Sequence, residues 1–373
     1  MLNNKLKIAW IGHGWDGVFQ RPHHWQKQAL LRGHEFHVYT MPARLSQIVT
    51  NFFHDSSSIH RLRYSFYEYF LFRAKRFDEL QQRKISRFEK YIHKEVIKQC
   101  GNKYDVVIYG TIPTKHFNRE GSSGIIIYDC MDEWSGFSYS QPEVAEWELT
   151  LASQSDIILA VSLPLFRKFA DCYGEDKVLL VPNGCDYDFF ASSINDRSKR
   201  KEMIIGYTGA IDNHNWFDWN TVKVIANAFP KASVYLIGPA VRTPVPLPKN
   251  IILGGRQPYE RMPIYNSTFD VGIIPFFVNS PLIAAASPIK LYEYLATGIP
   301  VVSSPMPDSL ELAERGIVHI ADSPEAFARE ISEAYKLSKQ PELVKRRLEI
   351  ARKHSWATRW QMIEKAVMDI RNN

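Results

Sequence analysis

Lys290 and Glu293 sit three residues apart in the stretch Ser287–Ser304, SPIKLYEYLATGIPVVSS, and their order runs against ordinary helix design. Ser287 reads as an N-cap, Pro288 as the first helical residue and Gly298 as the stop. Ile299–Val302 then start a buried strand. Lys290 therefore falls in the first turn, where the helix dipole disfavours a cation by about 0.3–1 kcal/mol. An anion held between that ammonium and the free backbone N–H groups removes the conflict, and a helix N-terminus reinforced by lysine is a phosphate site. Glu293 shares the face and suits a ribose diol, so one helix would read the diphosphate and ribose of a nucleotide-sugar. The plain alternative is a surface helix with an i,i+3 Lys290–Glu293 pair worth a few tenths of a kcal/mol, about 0.2–0.5.

A second constellation lies in Ile125–Phe137, IIIYDCMDEWSGF. Asp129 and Asp132 follow an apolar run and so fall at the C-terminal end of a strand. A carboxylate there suits deprotonation of an acceptor hydroxyl, and the flanking Trp134 and Phe137 suit stacking on sugar faces. Asp132 is the better candidate base, since Asp129, directly after the strand, has a turn-capping role open to it. Loop capping is the alternative for both.

Gly12–Gly17, GHGWDG, fits the GxGxxG pattern after a strand. A dinucleotide site also needs an acid about 20 residues on, at the end of the second strand. That strand ends Thr40-Met41-Pro42, without one. These glycines, Gly14 among them, read instead as a tight turn that lets an acceptor approach the backbone. His13 in this turn faces the expected cleft as a second catalytic candidate, with a structural histidine equally open. Gly209, in GYTGAID, lets backbone N–H groups approach a phosphate. Arg256, after Gly254-Gly255, is a candidate for the nucleobase or a phosphate. Asp186-Tyr187-Asp188 has the outline of a metal-binding DxD but is better explained as a turn with helix-capping aspartates. No metal is expected.

The elements that must hold these residues come in two similar sets. Short β-rich runs alternate with helical stretches, the pattern of parallel sheets covered on both faces. The runs are Lys7–Ile11, Phe36–Thr40, Tyr104–Tyr109, Gly124–Tyr128, Asp156–Val161 and Val178–Val181, then Met203–Tyr207, Ala232–Ile237, Asn250–Leu253, Phe269–Pro275, Ile299–Ser303 and Gly316–Ile320. Each half opens strand, Gly-rich turn, helix. The expected fold is thus α/β, with two doubly wound Rossmann-like domains facing a cleft. Residues 1–190 form the acceptor-binding domain, residues 203–354 the nucleotide-sugar-binding domain, and residues 355–373 a helix crossing back to the first. Polar Ser192–Glu202 is the linker.

The arrangement resembles glycosyltransferases of the two-Rossmann-domain (GT-B) class, near the large bacterial family 4 group, over nearly the whole chain. The resemblance rests on Val181-Pro182-Asn183-Gly184 with Asp186 and Phe189, on Ile205–Ile211 with Trp216–Asp218, and on FDVGIIPF followed by SPIKLYEYLATGIPVV. It implies that Glu293 holds the nucleotide ribose and Lys290 the diphosphate, with the NDP-sugar as co-substrate and no cofactor. The family usually carries two glutamates in an E-x7-E pattern, and here the first position is Ala285. That departure bears on the transferred sugar. The SPxK form is similar to a subgroup of polysaccharide and teichuronic-acid transferases and to a glucuronosyltransferase of xanthan synthesis; in that last class an aspartate placed like Asp132 acts as base with inversion, whereas retaining relatives more often place a histidine near there. The activity expected is transfer of a sugar to a glycan acceptor, lipid-linked, in surface polysaccharide biosynthesis. A nucleotide-sugar 2-epimerase of the same fold, or a non-catalytic sugar-nucleotide-binding membrane adaptor, are the alternatives.

Composition sets outer limits. A chain of 373 residues with 45% hydrophobic content can fill two cores. The four cysteines show no CxxC spacing, and MLNNKLKIAWIG enters a strand at once, so a cytoplasmic protein without signal peptide is expected. Between Arg61 and Lys98 eleven Lys/Arg stand against five acids, which accounts for the entire net charge of +6. Aromatics crowd the first half of that segment, so residues 61–98 read either as a peripheral anchor for anionic membrane or as an amphipathic helix pair packed on the core. Nucleic acid is not expected, since no nucleic-acid motif accompanies the charge.

Overall fold

The computed structural model describes residues 5–12, 19–40, 59–61, 103–112, 117–120, 122, 124–138, 140, 142–194, 202–212, 216–241, 243–277 and 279–372. The first domain contributes β1 (Lys7–Gly12), β2 (Glu35–Thr40), β3 (Ile59–Arg61), β4 (Val106–Tyr109), β5 (Ile125–Cys130), β6 (Ile157–Ala160) and β7 (Val178–Leu180). The second contributes β8 (Ile204–Thr208), β9 (Ile211–Asp212), β10 (Ser233–Ile237), β11 (Ala240–Val241), β12 (Ile251–Gly255), β13 (Val271–Ile274), β14 (Val301–Ser303) and β15 (Val318–Ile320).

Both main sheets are parallel and wound alike. The first runs β3-β2-β1-β4-β5-β6-β7 and the second β12-β10-β8-β13-β14-β15, with β9 and β11 as a separate two-stranded ribbon. Each order reverses beside its opening strand, at β1/β4 and at β8/β13. Adjacent helices leave in opposite directions there and open a crevice at the strand ends. The apolar runs marked every strand of the two main sheets except β3, Ile59-His60-Arg61, which carries a single apolar residue. The ribbon was not anticipated either, since two residues carry no periodicity.

Alternation along the first sheet explains its two cores. Ile8, Trp10, Val106, Ile108, Ile127 and Leu159 face one cluster, and Ala9, Ile11, Val107, Tyr109, Ile126 and Tyr128 face the other. The first cluster also takes Trp356, Trp360, Ile363 and Val367. These come from the last helix, Trp356–Asn372, which lies on the first domain beside the helix Arg21–Leu31. The chain crosses between domains twice, and the two crossings bond to each other. Cys185 N donates to His354 O at 3.1 Å, and Trp356 N donates to Cys185 O at 3.0 Å. Such a joint fixes where the domains meet while leaving few bonds to bend.

Asp129 is not the turn cap that its place after the apolar run suggested. It is the fifth residue of β5 and fully buried. Arg21 Nε donates to its Oδ1 at 2.9 Å, and Trp25 Nε1 donates to its Oδ2 at 2.8 Å. Arg21 NH1 also donates to Val181 O at 2.8 Å and to Asn183 Oδ1 at 3.1 Å. An ion pair in this setting stabilises little overall, but losing one partner strands the other charge in the core. Arg21→Met is therefore expected to cost about 3–5 kcal/mol, with Arg21→Met/Asp129→Leu recovering most of it. Urea denaturation of the single and double variants measures both.

Candidate active site

The helix carrying Lys290 spans Ile289–Ala296, with Pro288 as N-cap, one residue later than the sequence suggests. Ser287 does not cap it. Its hydroxyl donates to Asp308 Oδ2 and accepts from Asn183 N at 3.0 Å, while Asn183 Nδ2 donates to Ser287 O at 2.6 Å. With both capacities engaged, Ser287 is committed to joining the domains rather than to a phosphate. Thr297 and Gly298, the latter at φ 74°, end the helix, and β14 follows.

Lys290 does not form the expected alternative ion pair with Glu293. Its ammonium lies 5.2 Å from the centroid of Tyr207 and 4.9 Å from that of Phe276. Tyr207 belongs to β8 and Phe276 follows β13, so the lysine stands at the point where the second sheet reverses. Gly209, at φ 135°, closes the turn after β8. A Cβ there would meet Lys290 Cε at 2.9 Å and Nζ at 3.3 Å, so only glycine leaves the lysine in place. The turn itself is held by bonds from Tyr207 Oη and Trp216 Nε1 to Ala210 O, at 2.7 and 2.9 Å. Tyr294 Oη accepts from Thr208 N at 2.7 Å and ties the same helix to β8.

Burial sets the protonation of this group. It lowers Lys290 to about 8, against the opposing pull of Glu293. It raises Glu293 to about 7, opposed first by Lys290. Beside Glu293 lies Tyr259, whose ring stacks on Phe19 of the first domain at 4.3 Å and 16°. On the facing domain Asp132 follows β5, and burial raises it to about 7, opposed by Arg21 and reinforced by Asp129. A carboxyl near neutrality is matched to taking a proton.

The remaining candidates divide. Trp134 opens the short turn Trp134–Gly136, its ring 5.9 Å from that of Phe137. That turn touches the second domain, since a Cβ on Gly136 would lie 2.8 Å from Leu282 N. Arg256 is exposed after β12, and the structure does not bring it against Lys290 or Glu293. His13 and Gly14 lie outside the described residues, as do residues 62–98 of the basic segment, Arg61 ending β3. Asp186 sits at the N-cap of Tyr187–Ala191 without capping it and pairs with Lys27. No group of three or more His, Cys, Asp or Glu suited to a metal occurs among the described residues. Ala285 is buried with the first domain's core cluster.

Sequence reasoning passed over Arg21, although its signal was the one that marked Lys290. Arg21 is the first residue of the helix Arg21–Leu31, a cation where the dipole disfavours it. Tyr207 and Phe276 carried no such mark, because aromatic residues at strand ends are ordinary core material.

Residues 202–336 match the family of group 1 glycosyl transferases. The chain is 30% identical over 210 residues to a Bacillus subtilis (strain 168) protein named as a teichuronic acid biosynthesis glycosyltransferase, TuaH, covering 50% of this chain and 52% of that one. The alignment thus spans about half of that relative's length. Among solved structures, Anabaena HepE in complex with UDP-glucose superposes with a TM-score of 0.67 at 13% identity, covering 98% of this chain and 100% of that one. A glycosyltransferase from Rickettsia africae gives 0.64 at 15% identity, with 99% and 100% covered. The fold is GT-B.

A diphosphate held by Lys290 would make its own binding depend on the charge of that lysine. Free Lys290 deprotonates near pH 8, so affinity for a nucleoside diphosphate falls as pH rises past that value. Lys290→Ala is expected to weaken UDP or GDP binding by about 1.5–3 kcal/mol and to remove that pH dependence. Calorimetry from pH 6.5 to 9.5 tests it, and unchanged affinity in a folded variant sinks the assignment.

Proposed function

We propose that this protein transfers a sugar from a nucleoside-diphosphate sugar to a hydroxyl of a glycan acceptor in surface polysaccharide assembly, the acceptor being lipid-linked. The observation that carries the reading is the Lys290 ammonium at the β8/β13 reversal, flanked by the Gly209 turn and the helix N-terminus. These groups meet a diphosphate with positive potential and stabilise the charge that develops as it leaves. Glu293, three residues on, takes the ribose. The relative named for teichuronic acid biosynthesis supports the polysaccharide setting.

Asp132 is the base. The acceptor oxygen attacks the anomeric carbon, the carbon–oxygen bond to the diphosphate breaks, and its electron pair leaves with the nucleotide. Attack on the face opposite the diphosphate inverts the anomeric centre, and Asp132 takes the acceptor proton. In this reading Lys290, the amides of its helix and the Gly209 turn do the work of charge stabilisation, without a metal.

Asp132→Asn keeps size and hydrogen bonding but cannot accept a proton. Turnover is expected to drop about 10²–10⁴-fold with nucleotide affinity retained. In the wild type kcat/KM should rise through about pH 7 as Asp132 ionises and fall above about 8 as Lys290 loses its proton. Transfer from UDP-, GDP- and dTDP-sugars, followed as nucleotide release with and without lipid-linked acceptor, tests the reading. Release with epimer and no acceptor requirement would mean a 2-epimerase, and binding without turnover an adaptor. Retained configuration by NMR, or an active Asp132 variant, would move the base elsewhere, His13 being the first to test.

Among the described residues no helix is long and apolar enough to cross a membrane. We place the protein at the cytoplasmic face of the membrane through the basic aromatic segment 61–98. Co-sedimentation with liposomes should grow with anionic lipid and fall with salt, because screening acts over about 10 Å at 0.1 M. Equal sedimentation with neutral vesicles would rule the anchor out.

A further inference from the structure

A cavity of about 460 Å³ lies between the domains at the C-terminal ends of β13, β14 and β15, and neither Lys290 nor Glu293 lines it. Its size falls within the range of about 300–1,000 Å³ usual for small-molecule sites. Three phenylalanines, Phe276, Phe277 and Phe327, supply its apolar surface. Two carboxylates, Asp218 and Asp322, supply its charge, and no lysine, arginine or histidine appears in its described lining. A phosphate or uronate would therefore meet like charge there, unlike at Lys290.

The polar lining is partly spoken for. Asp218 accepts from Asn220 N at 2.8 Å and from Thr221 Oγ1 at 2.6 Å, capping its own helix. Ser304 Oγ accepts from Phe276 N at 2.9 Å and donates to Phe276 O at 2.7 Å. The Asp322 carboxylate and the Asn279 amide are both exposed and make no hydrogen bond to another described residue. Aromatic faces with an unengaged carboxylate and amide at the rim match a ring that is apolar on its faces and hydroxylated at its edge.

Two contacts tie the cavity to the chemistry. The ring of Phe276, which lines it, lies against the Lys290 ammonium at 4.9 Å. Gly136 and Ser138, from the loop that begins at Asp132, form the first-domain side. We propose that this cavity is an acceptor subsite that binds an uncharged sugar residue of the glycan, placed on the second domain beside the donor diphosphate. The inference rests on the glycosyltransferase reading for its role, though not for the binding itself. A sugar held there by Asp322 and Asn279 reaches the reacting centre from between the Asp132 loop and Lys290. The walls of the subsite come from both halves.

Saturation-transfer NMR with free glucose, N-acetylglucosamine and glucuronate tests this on the full chain. The two neutral sugars are expected to bind and glucuronate not to. Asp322→Ala/Asn279→Ala alters two exposed side chains outside the core and should weaken neutral-sugar binding at least tenfold, with UDP affinity unchanged. Neutral-sugar binding that survives both substitutions, that UDP displaces, or that glucuronate equals would overturn the subsite. Wild-type protein that binds neutral sugars but no nucleoside diphosphate would instead fail the donor-site reading and leave the subsite standing.

Discussion

A guanidinium with almost no exposure to water governs how the two halves of this molecule meet. Arg21 is 2% exposed, and a desolvated charge is costly unless it is paired and hydrogen-bonded. Asp129 on β5 neutralises it, the Trp25 ring lies 4.7 Å from it, and the Val181 carbonyl and the Asn183 side chain accept hydrogen bonds from its NH1. Asn183 in turn grips Ser287, and Ser287 donates to Asp308. A line of polar contacts thus runs from the middle of the first sheet to Ser287, just before the helix that carries Lys290.

That line ties the strand that leads to Asp132 to the segment that carries Lys290. Asp132 follows the same strand that holds Asp129, and Lys290 begins three residues after Ser287. A shift of either domain would have to break bonds between buried polar groups, each expensive to leave unmade. The aromatic contacts add to the constraint without charge. His24 stacks on Trp356 at 4.5 Å, and Phe19 on Tyr259 at 4.3 Å. These contacts join the domains near the crossings, and the cavity lies farther out, toward β14 and β15.

The same burial that fixes the geometry tunes the reactive groups. Lys290 is pushed down to about 8 while Glu293 and Asp132 are pushed up to about 7. In water these groups would be fully charged at neutral pH. In the cleft they lie close to changing charge.

The sequence alone determined the two doubly wound halves, because strand runs and Gly-rich turns follow from local periodicity and backbone sterics. It also marked Lys290 and Glu293, because a cation in a first helical turn is a local contradiction that needs no partner to be noticed. What it misjudged were groups whose roles depend on distant chain. Asp129 looked like a turn cap until Arg21, more than a hundred positions earlier, was seen to bond to it. Ser287 looked like an N-cap until Asn183 and Asp308 claimed its hydroxyl. The Tyr207 and Phe276 rings became a seat for the lysine only when β8 and β13 were laid side by side. Propensity acts over a few residues, whereas a buried polar atom takes whichever partner the packed chain brings within reach, and only the tertiary structure decides which one that is.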